Sequence, residues 1–303
     1  MTVNVSKAVA TAVVGNEGVI VPKALAYAVL NYDGVVVSKA VAYAVLNPSP
    51  GTILWCGGEE TDLVTRVEPN YTDAGTTTGT TAGRFRADYA RGCIEHTQSS
   101  VSVELGRGEV FAGGGVTSFW VSFYVYSDLT SGTAAHPFRV IKSGVTTSSI
   151  DIGTDFSETN INLYGSNGSS IRGLTGTGVA DASFHRVDAR IDNFGSVGFA
   201  QVYVDGESRI SASFDMSDSG ASDLDQFALF TAPSGLWSLS EIIIATGDTR
   251  TMSLLTLAPE GPGFKDEWTG DETAFDEAVE NDSDSASSST AGQEIAVKLT
   301  DLP

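Results

Sequence analysis

The chain has 303 residues, enough for one large domain with appendages or for two domains. Charged residues make up only 18% and glycines number 33; with abundant serine and threonine, this is the composition of a turn-rich all-β protein and not of a helical bundle. The net charge of −21, from 38 acidic and 17 basic residues, repels nucleic-acid phosphates and anionic lipid surfaces and sets both aside as partners.

In chain order, the first feature is a repeat. Val5–Val14 returns as Val21–Leu30 and again as Val37–Leu46, with Lys7, Lys23 and Lys39 in register and Tyr27 and Tyr43 at matching places. A repeat of this size cannot bury its apolar face alone and must stack on its copies or on a partner. Each copy reads two ways. Ser6 and Ser38 suit helix caps and Pro22 a first helical turn, whereas Val41, Tyr43 and Val45 alternate with alanines as a strand would. A short strand followed by a short helix is the favoured reading. Val5, Lys7, Val21, Lys23, Tyr27, Val37, Lys39 and Tyr43 are the expected assembly residues, because so few residues carry so much apolar surface. No basic start precedes an apolar run, so no secretion signal is expected. No stretch approaches the ~18 apolar residues that cross a bilayer, so no membrane insertion is expected.

Asn47-Pro-Ser-Pro-Gly51 closes the repeat region. Strands and turns follow to about residue 258. Phe119–Tyr126 is aromatic and β-branched. His185–Asp192 alternates, with Val187, Ala189 and Ile191 facing a core and Arg186, Asp188, Arg190 and Asp192 facing out. Phe199–Val204, an Asp205-Gly206 turn and Arg209–Phe214 form a hairpin, and Phe227–Phe230 and Leu239–Ala245 add two strands. Many short strands with dense turn signals predict a sandwich or jelly roll. Two cysteines, Cys56 and Cys93, are too few for a metal cluster. They form either a disulfide, whose loop contributes about 3–4 kcal/mol in the chain-entropy model, or two thiols. Beyond Pro259-Glu-Gly-Pro-Gly263 the chain turns acidic and serine-rich, a composition that predicts disorder for Asn281–Thr290. The aromatic Phe264, Trp268 and Phe275 and the run Ile295–Leu299 argue for local packing.

The predicted architecture is mainly β: a strand/helix repeat segment over 1–50, an antiparallel β-sandwich over 51–258 and an acidic extension over 259–303. Phe184-His185-Arg186-Val187 and Val202-Tyr203-Val204-Asp205-Gly206, with Leu239–Ala245 after Phe227–Phe230, resemble the late strands of the concanavalin A-like lectin/glucanase superfamily in its laminin-G-like form. The resemblance spans roughly residues 52–258 and implies a jelly roll. A narrower resemblance, carried by Val37–Leu46, by Ser240–Arg250 with Leu254–Pro259, and by Trp268–Asp271 with Ser289–Gln293, is to bacteriophage structural proteins. It implies a non-enzymatic virion component, a fibre or spike-like appendage or a capsid decoration. Its partners would be other virion proteins, copies of itself (a trimer suits a fibre) and a host-surface glycan.

Glucanases on this fold carry E-x-D-x-x-E on one strand, and no such string occurs; Glu59, Glu60 and Asp62 have the wrong spacing. His96, His136 and His185 lie in no catalytic motif, and Gly173–Gly178 lacks the lysine of a phosphate loop. The chain is therefore expected not to be an enzyme. Lectin-like rolls bind sugars through loops bearing Asp, Asn and an aromatic ring. Asp151, Asp155, Asn160, Asn162, Tyr164 and Asn167 are the candidates, against the plain reading that loops use such residues anyway. No cofactor is expected, Ca²⁺ at such loops being the one weak candidate.

Overall fold

The fold was taken from a computed structural model. It describes residues 8–10, 19–31, 34–46, 51–58, 65–66, 76–79, 93–96, 104–111, 113–127, 135–143, 149–155, 160–164, 170–173, 183–216, 221–230, 237–257, 259–266, 286–288 and 295–299. The strands are β1 (Ala8–Ala10), β2 (Val19–Asn31), β3 (Gly34–Leu46), β4 (Ile53–Gly57), β5 (Thr65–Arg66), β6 (Thr76–Gly79), β7 (Cys93–His96) and β8 (Glu104–Arg107). Next come β9 (Phe119–Ser127), β10 (Ala135–Ile141), β11 (Ser149–Asp155), β12 (Asn160–Tyr164), β13 (Ser170–Gly173), β14 (Phe184–Asp192), β15 (Gly198–Val204) and β16 (Glu207–Phe214). The last are β17 (Gln226–Phe230), β18 (Trp237–Ala245), β19 (Ser253–Leu257), β20 (Pro259–Asp266), β21 (Ala286–Ser288) and β22 (Ile295–Leu299). The chain divides into two compact units, residues 1–47 with 253–303, and residues 48–252.

In the first unit the described residues of the repeat copies are strands, and sheet stands where a short helix was predicted. β2 and β3 form a long hairpin that places Lys23 opposite Tyr43 and Tyr27 opposite Lys39. The register slips twice, between Ile20 and Lys23 and between Tyr27 and Ala28. The first slip contains Pro22, and the second leaves Ser38 as the extra residue of β3. These are equivalent positions of the repeat. Proline cannot donate to a ladder and is tolerated at a bulge. The residues that read as helix starts thus mark bulges. β1 pairs β2, β19 pairs β3, and β21 pairs β3 along Val35–Val37. Residues 286–288 of the serine-rich stretch are therefore strand, and β20 pairs β22.

The second unit is the predicted antiparallel β-sandwich. One sheet runs β16-β15-β14-β9-β18-β7-β6, with β4 also on β18; the other runs β13-β12-β11-β10-β17-β8-β5. Alternation decides what lies between them. Val187, Ala189 and Ile191 of β14 and Phe119, Val121, Phe123 and Val125 of β9 are buried. They face Phe138 and Val140 of β10, Ile152 of β11, Leu163 of β12 and Phe227 of β17 in one core. Trp55 lies 4.2 Å from Phe227 and Phe123 lies 4.9 Å from Phe138, centroid to centroid. Each buried aromatic or aliphatic side chain contributes roughly 1.5–3 kcal/mol. The Asp205-Gly206 turn forms as predicted, with φ of 50° and 81°, the left-handed pair that joins tightly twisted strands.

Candidate functional site

Each sheet of the sandwich turns a second face away from the core, and the two faces differ. On the eight-stranded sheet, β14 presents Arg186, Asp188, Arg190 and Asp192, as its alternation predicted. β9 adds Trp120, Ser122 and Tyr124, and β15 adds Phe199 and Tyr203. Asp188 departs from expectation. It points away from the core yet is buried, because residues 246–252, leaving β18, lie across the sheet as a strap. Arg186 donates to the carbonyls of Thr249 (2.8 Å) and Met252 (3.1 Å) and to Asp188 (3.0 Å). Ser122 Oγ donates to Asp188 Oδ1 (2.5 Å) and lies 2.5 Å from Thr249 Oγ1. Burial works against the Arg186 charge, but the Asp188 carboxylate and the Tyr124 hydroxyl outweigh it and hold the guanidinium above its ordinary pKa.

The outer part of this face is a stack of rings and guanidiniums. Trp120 and Tyr203 lie 6.5 Å apart and nearly parallel. Arg250, from the strap, sits 5.0 Å from the first ring and 4.9 Å from the second. Arg190 lies 5.7 Å from Trp120 and 5.8 Å from Phe199. Each arginine has an acid two residues away on its own segment: Arg190 with Asp192 (2.5 Å) and Arg250 with Asp248 (2.6 Å). The Arg250 hydrogen bonds hold the Asp248 carboxyl below its usual range. The face is self-satisfied: its cations already cover its rings, and its acids already hold its cations.

The seven-stranded sheet is different, and here the register gathers the sugar-type residues. Asp151 stands opposite Tyr164, Gly153 opposite Asn162, and Asp155 opposite Asn160. Between them, Ile152, Ile161 and Leu163 are buried in the core. Asp151, Asp155, Asn160, Asn162 and Tyr164 therefore share the face turned away from it. They lie on paired strands and not on the loops where they were expected; Asn167 lies outside the described residues. The row through Asp151 continues across other strands: Arg139 stands opposite Asp151, Ala228 opposite Arg139, and Arg107 opposite Ala228. From Arg107 to Tyr164 is four strand spacings, about 19 Å. The neighbouring row is floored by Gly153, Asn162 and Gly173. Two glycines, Gly153 and Gly173, thus lie in the row between the Arg139–Asp151–Tyr164 row and the Asp155–Asn160 row, with Asn162 between them. A register slip between Ala135 and Phe138 sets two residues, His136 and Pro137, against the single Gly153 at one end of this row. Bulges of this kind re-aim side chains beside functional sites. Asp151 and Asp155 are four strand positions apart, roughly 13 Å, wider than a glycosidase carboxylate pair.

The sequence reading missed Arg139, although Phe138-Arg139-Val140 is a legible alternation. It also missed the strap residues, whose partners are distant in sequence. His185, which lies in no catalytic motif, is buried with its Nδ1 2.7 Å from Asp205. Cys56 and Cys93 are buried thiols. Of the assembly residues, Val21, Lys23 and Tyr27 lie in β2, and Val37, Lys39 and Tyr43 in β3; Val5 and Lys7 lie outside the described residues. At the end of β10, Lys142 bonds to Asp223 and, at 2.9 Å, to Asp225, which also accepts from the Ser143 amide (2.6 Å). Burial alone would raise the Asp225 carboxyl; Lys142 and Ser143 outweigh it and hold the carboxyl below its usual range. Among the described residues no three His, Cys, Asp or Glu side chains converge as a metal site, and no helix is long and apolar enough to cross a membrane.

No family model matches the chain, and no curated protein matches it in sequence. Solved structures do. An endo-β-1,4-glucuronan lyase from the fungus Trichoderma reesei is 12% identical with a TM-score of 0.47, over 65% of this chain and 96% of that one. A carbohydrate-binding module, CBM66, from Bacillus subtilis is 12% identical with a TM-score of 0.35, over 56% and 95%. The alginate lyase Aly36B, solved with an alginate tetrasaccharide, is 9% identical with a TM-score of 0.33, over 62% and 98%. Likenesses this distant transfer no function. They do correct one expectation. The chain was expected not to be an enzyme because it lacks the glucanase carboxylate string, yet similar structures include lyases and a sialidase from Trypanosoma rangeli. A missing hydrolase string therefore does not remove a chain of this architecture from catalysis. Nothing among the similar structures points to a phage particle.

Proposed function

We propose that this chain is a glycan-binding protein whose ligand lies in a shallow trough over this glycine-bearing row, on the outer face of the seven-stranded sheet. One observation carries the reading: strand register brings Asp151, Asp155, Asn160, Asn162 and Tyr164 onto a single face together with Arg139. Carboxylates and side-chain amides offer the acceptors and donors that sugar hydroxyls need. A tyrosine adds an apolar ring with a polar tip. Glycines at the floor let a sugar ring approach the backbone. Rigid paired strands hold these groups better than loops do. The test is affinity electrophoresis of the full chain through gels containing a panel of polysaccharides, followed by calorimetry on any that retard it. Retardation that weakens in Tyr164→Ala and Asn162→Ala supports the reading; retardation unaffected by both places the ligand elsewhere. Chain length of the polysaccharide, measured in the same samples, distinguishes retention from cleavage.

The resemblance of the repeat and of the C-terminal extension to phage structural proteins supports a virion appendage as the setting, in which residues 1–50 assemble copies of the chain. Light scattering of the full chain tests the assembly; a monomer at micromolar concentration removes it.

A further inference from the structure

We infer that the ligand of the trough is an uncharged polysaccharide, read through residues of opposite charge that the strand register sets side by side. This inference rests on the glycan-binding reading and adds the ligand class. The argument is a charge audit of the face. Arg139 stands opposite Asp151, so the guanidinium-bearing and carboxylate-bearing residues are direct cross-strand neighbours. Arg107 is followed two positions later by Glu109, the separation that puts both on one side of an extended chain. Gly108, between them, points its missing Cβ at the core, 1.8 Å from Phe227. Ala228, between the two arginines, is buried and uncharged. Asp155 adds one further acid at the trough's other margin. Among the described residues of this face the register sets the arginines beside acids, which leaves no cationic excess there to hold a carboxylate or sulfate polymer.

The rest of the molecule acts in the same direction. A chain of net charge −21 repels a polyanion as it approaches, over a screening length of about 8 Å at physiological salt. A neutral polymer meets no such barrier. Cross-strand pairs such as Arg139 and Asp151 suit it, because a carboxylate accepts from two adjacent hydroxyls while a guanidinium donates to ring and hydroxyl oxygens. The row from Arg107 to Tyr164 is long enough for several sugars lying across the strands.

The test runs the full chain through gels containing neutral polysaccharides (xylan, arabinan, galactan, mannan, mixed-linkage glucan) and acidic ones (alginate, polygalacturonate, hyaluronan, a sulfated galactan), at low and at physiological ionic strength. The expected result is retardation by at least one neutral polymer, changed less than about twofold by salt, and by no acidic one. Asp151→Asn keeps an acceptor but removes the charge. It is expected to weaken retention on the neutral polymer without creating retention on any acidic one. Retardation by acidic polymers alone, strengthening as salt falls, overturns the inference and leaves the glycan-binding reading standing. Retardation by none removes both.

Discussion

The two outward faces of the sandwich are made from similar residue types, and they differ in how those residues are arranged. On the eight-stranded sheet, Arg250 already lies on Trp120 and Tyr203, and Asp188 is already buried beneath the strap. On the seven-stranded sheet, Gly153 and Gly173 lie between the polar rows. Aromatic and arginine content alone is therefore a poor guide to a binding surface. What distinguishes a candidate site is polar groups arranged around space.

This contrast can be broken or sharpened. The largest effect is expected from the core on which both faces depend: Phe138→Ala costs about 3–5 kcal/mol, seen in denaturant unfolding, and diminishes both faces together. Asp188→Ala leaves the buried Arg186 guanidinium without its carboxylate and costs roughly 3 kcal/mol, while glycan retention by the folded fraction is unchanged. If retention falls with Asp188, the strapped face belongs to the site and the contrast is wrong. Tyr164→Ala is the mirror experiment. Retention falls about tenfold, equivalent to ~1.4 kcal/mol, with stability within about 0.5 kcal/mol of the parent. The smallest effects concern pH and the strap's outer end. The Asp225 carboxyl is depressed in the folded state. Its contribution is thus present above the unfolded carboxylate range, near 3.9, and is lost as pH falls through the lower folded value. Asp225→Asn should flatten the acid limb of the melting temperature against pH and leave the neutral region lower. Arg250→Ala should speed amide exchange at Thr249 and Met252 with little change in global stability.

Much of the second unit was legible because local patterns and tertiary structure agree there. Val187, Ala189 and Ile191 alternate with charges and are buried as the alternation demands, and Asp205-Gly206 is a turn in sequence and in space. The repeat was misread for a physical reason. Ser6, Pro22 and Ser38 precede alanine-rich runs, a combination that satisfies helix-start chemistry, and only cross-strand pairing shows that Pro22 and Ser38 fall at bulges. The trough was half legible. Its residue types were recognised, but Arg139 and Asp151 become neighbours only through the pairing of β10 with β11, and Ala228 joins them from far along the chain. Register between strands distant in sequence leaves no local mark. Nor could alternation foresee the strap that covers Asp188, since its contacts are made by a turn and not by a strand.

The strap has a partner at its other end. The Thr52 amide donates to the Thr246 hydroxyl (2.8 Å), and the Thr246 amide donates to the Thr52 carbonyl (3.0 Å). Beside this double bond Gly51 packs so closely on Gly247 that a Cβ on Gly51 would lie 2.5 Å from the Gly247 nitrogen. The first and last segments of the sandwich are thereby stitched together at one point, as the two ends of an inserted domain are. Closing the ends in this way brings the entry and exit of the sandwich to adjacent points, the arrangement that tolerates insertion into a chain or circular permutation of it.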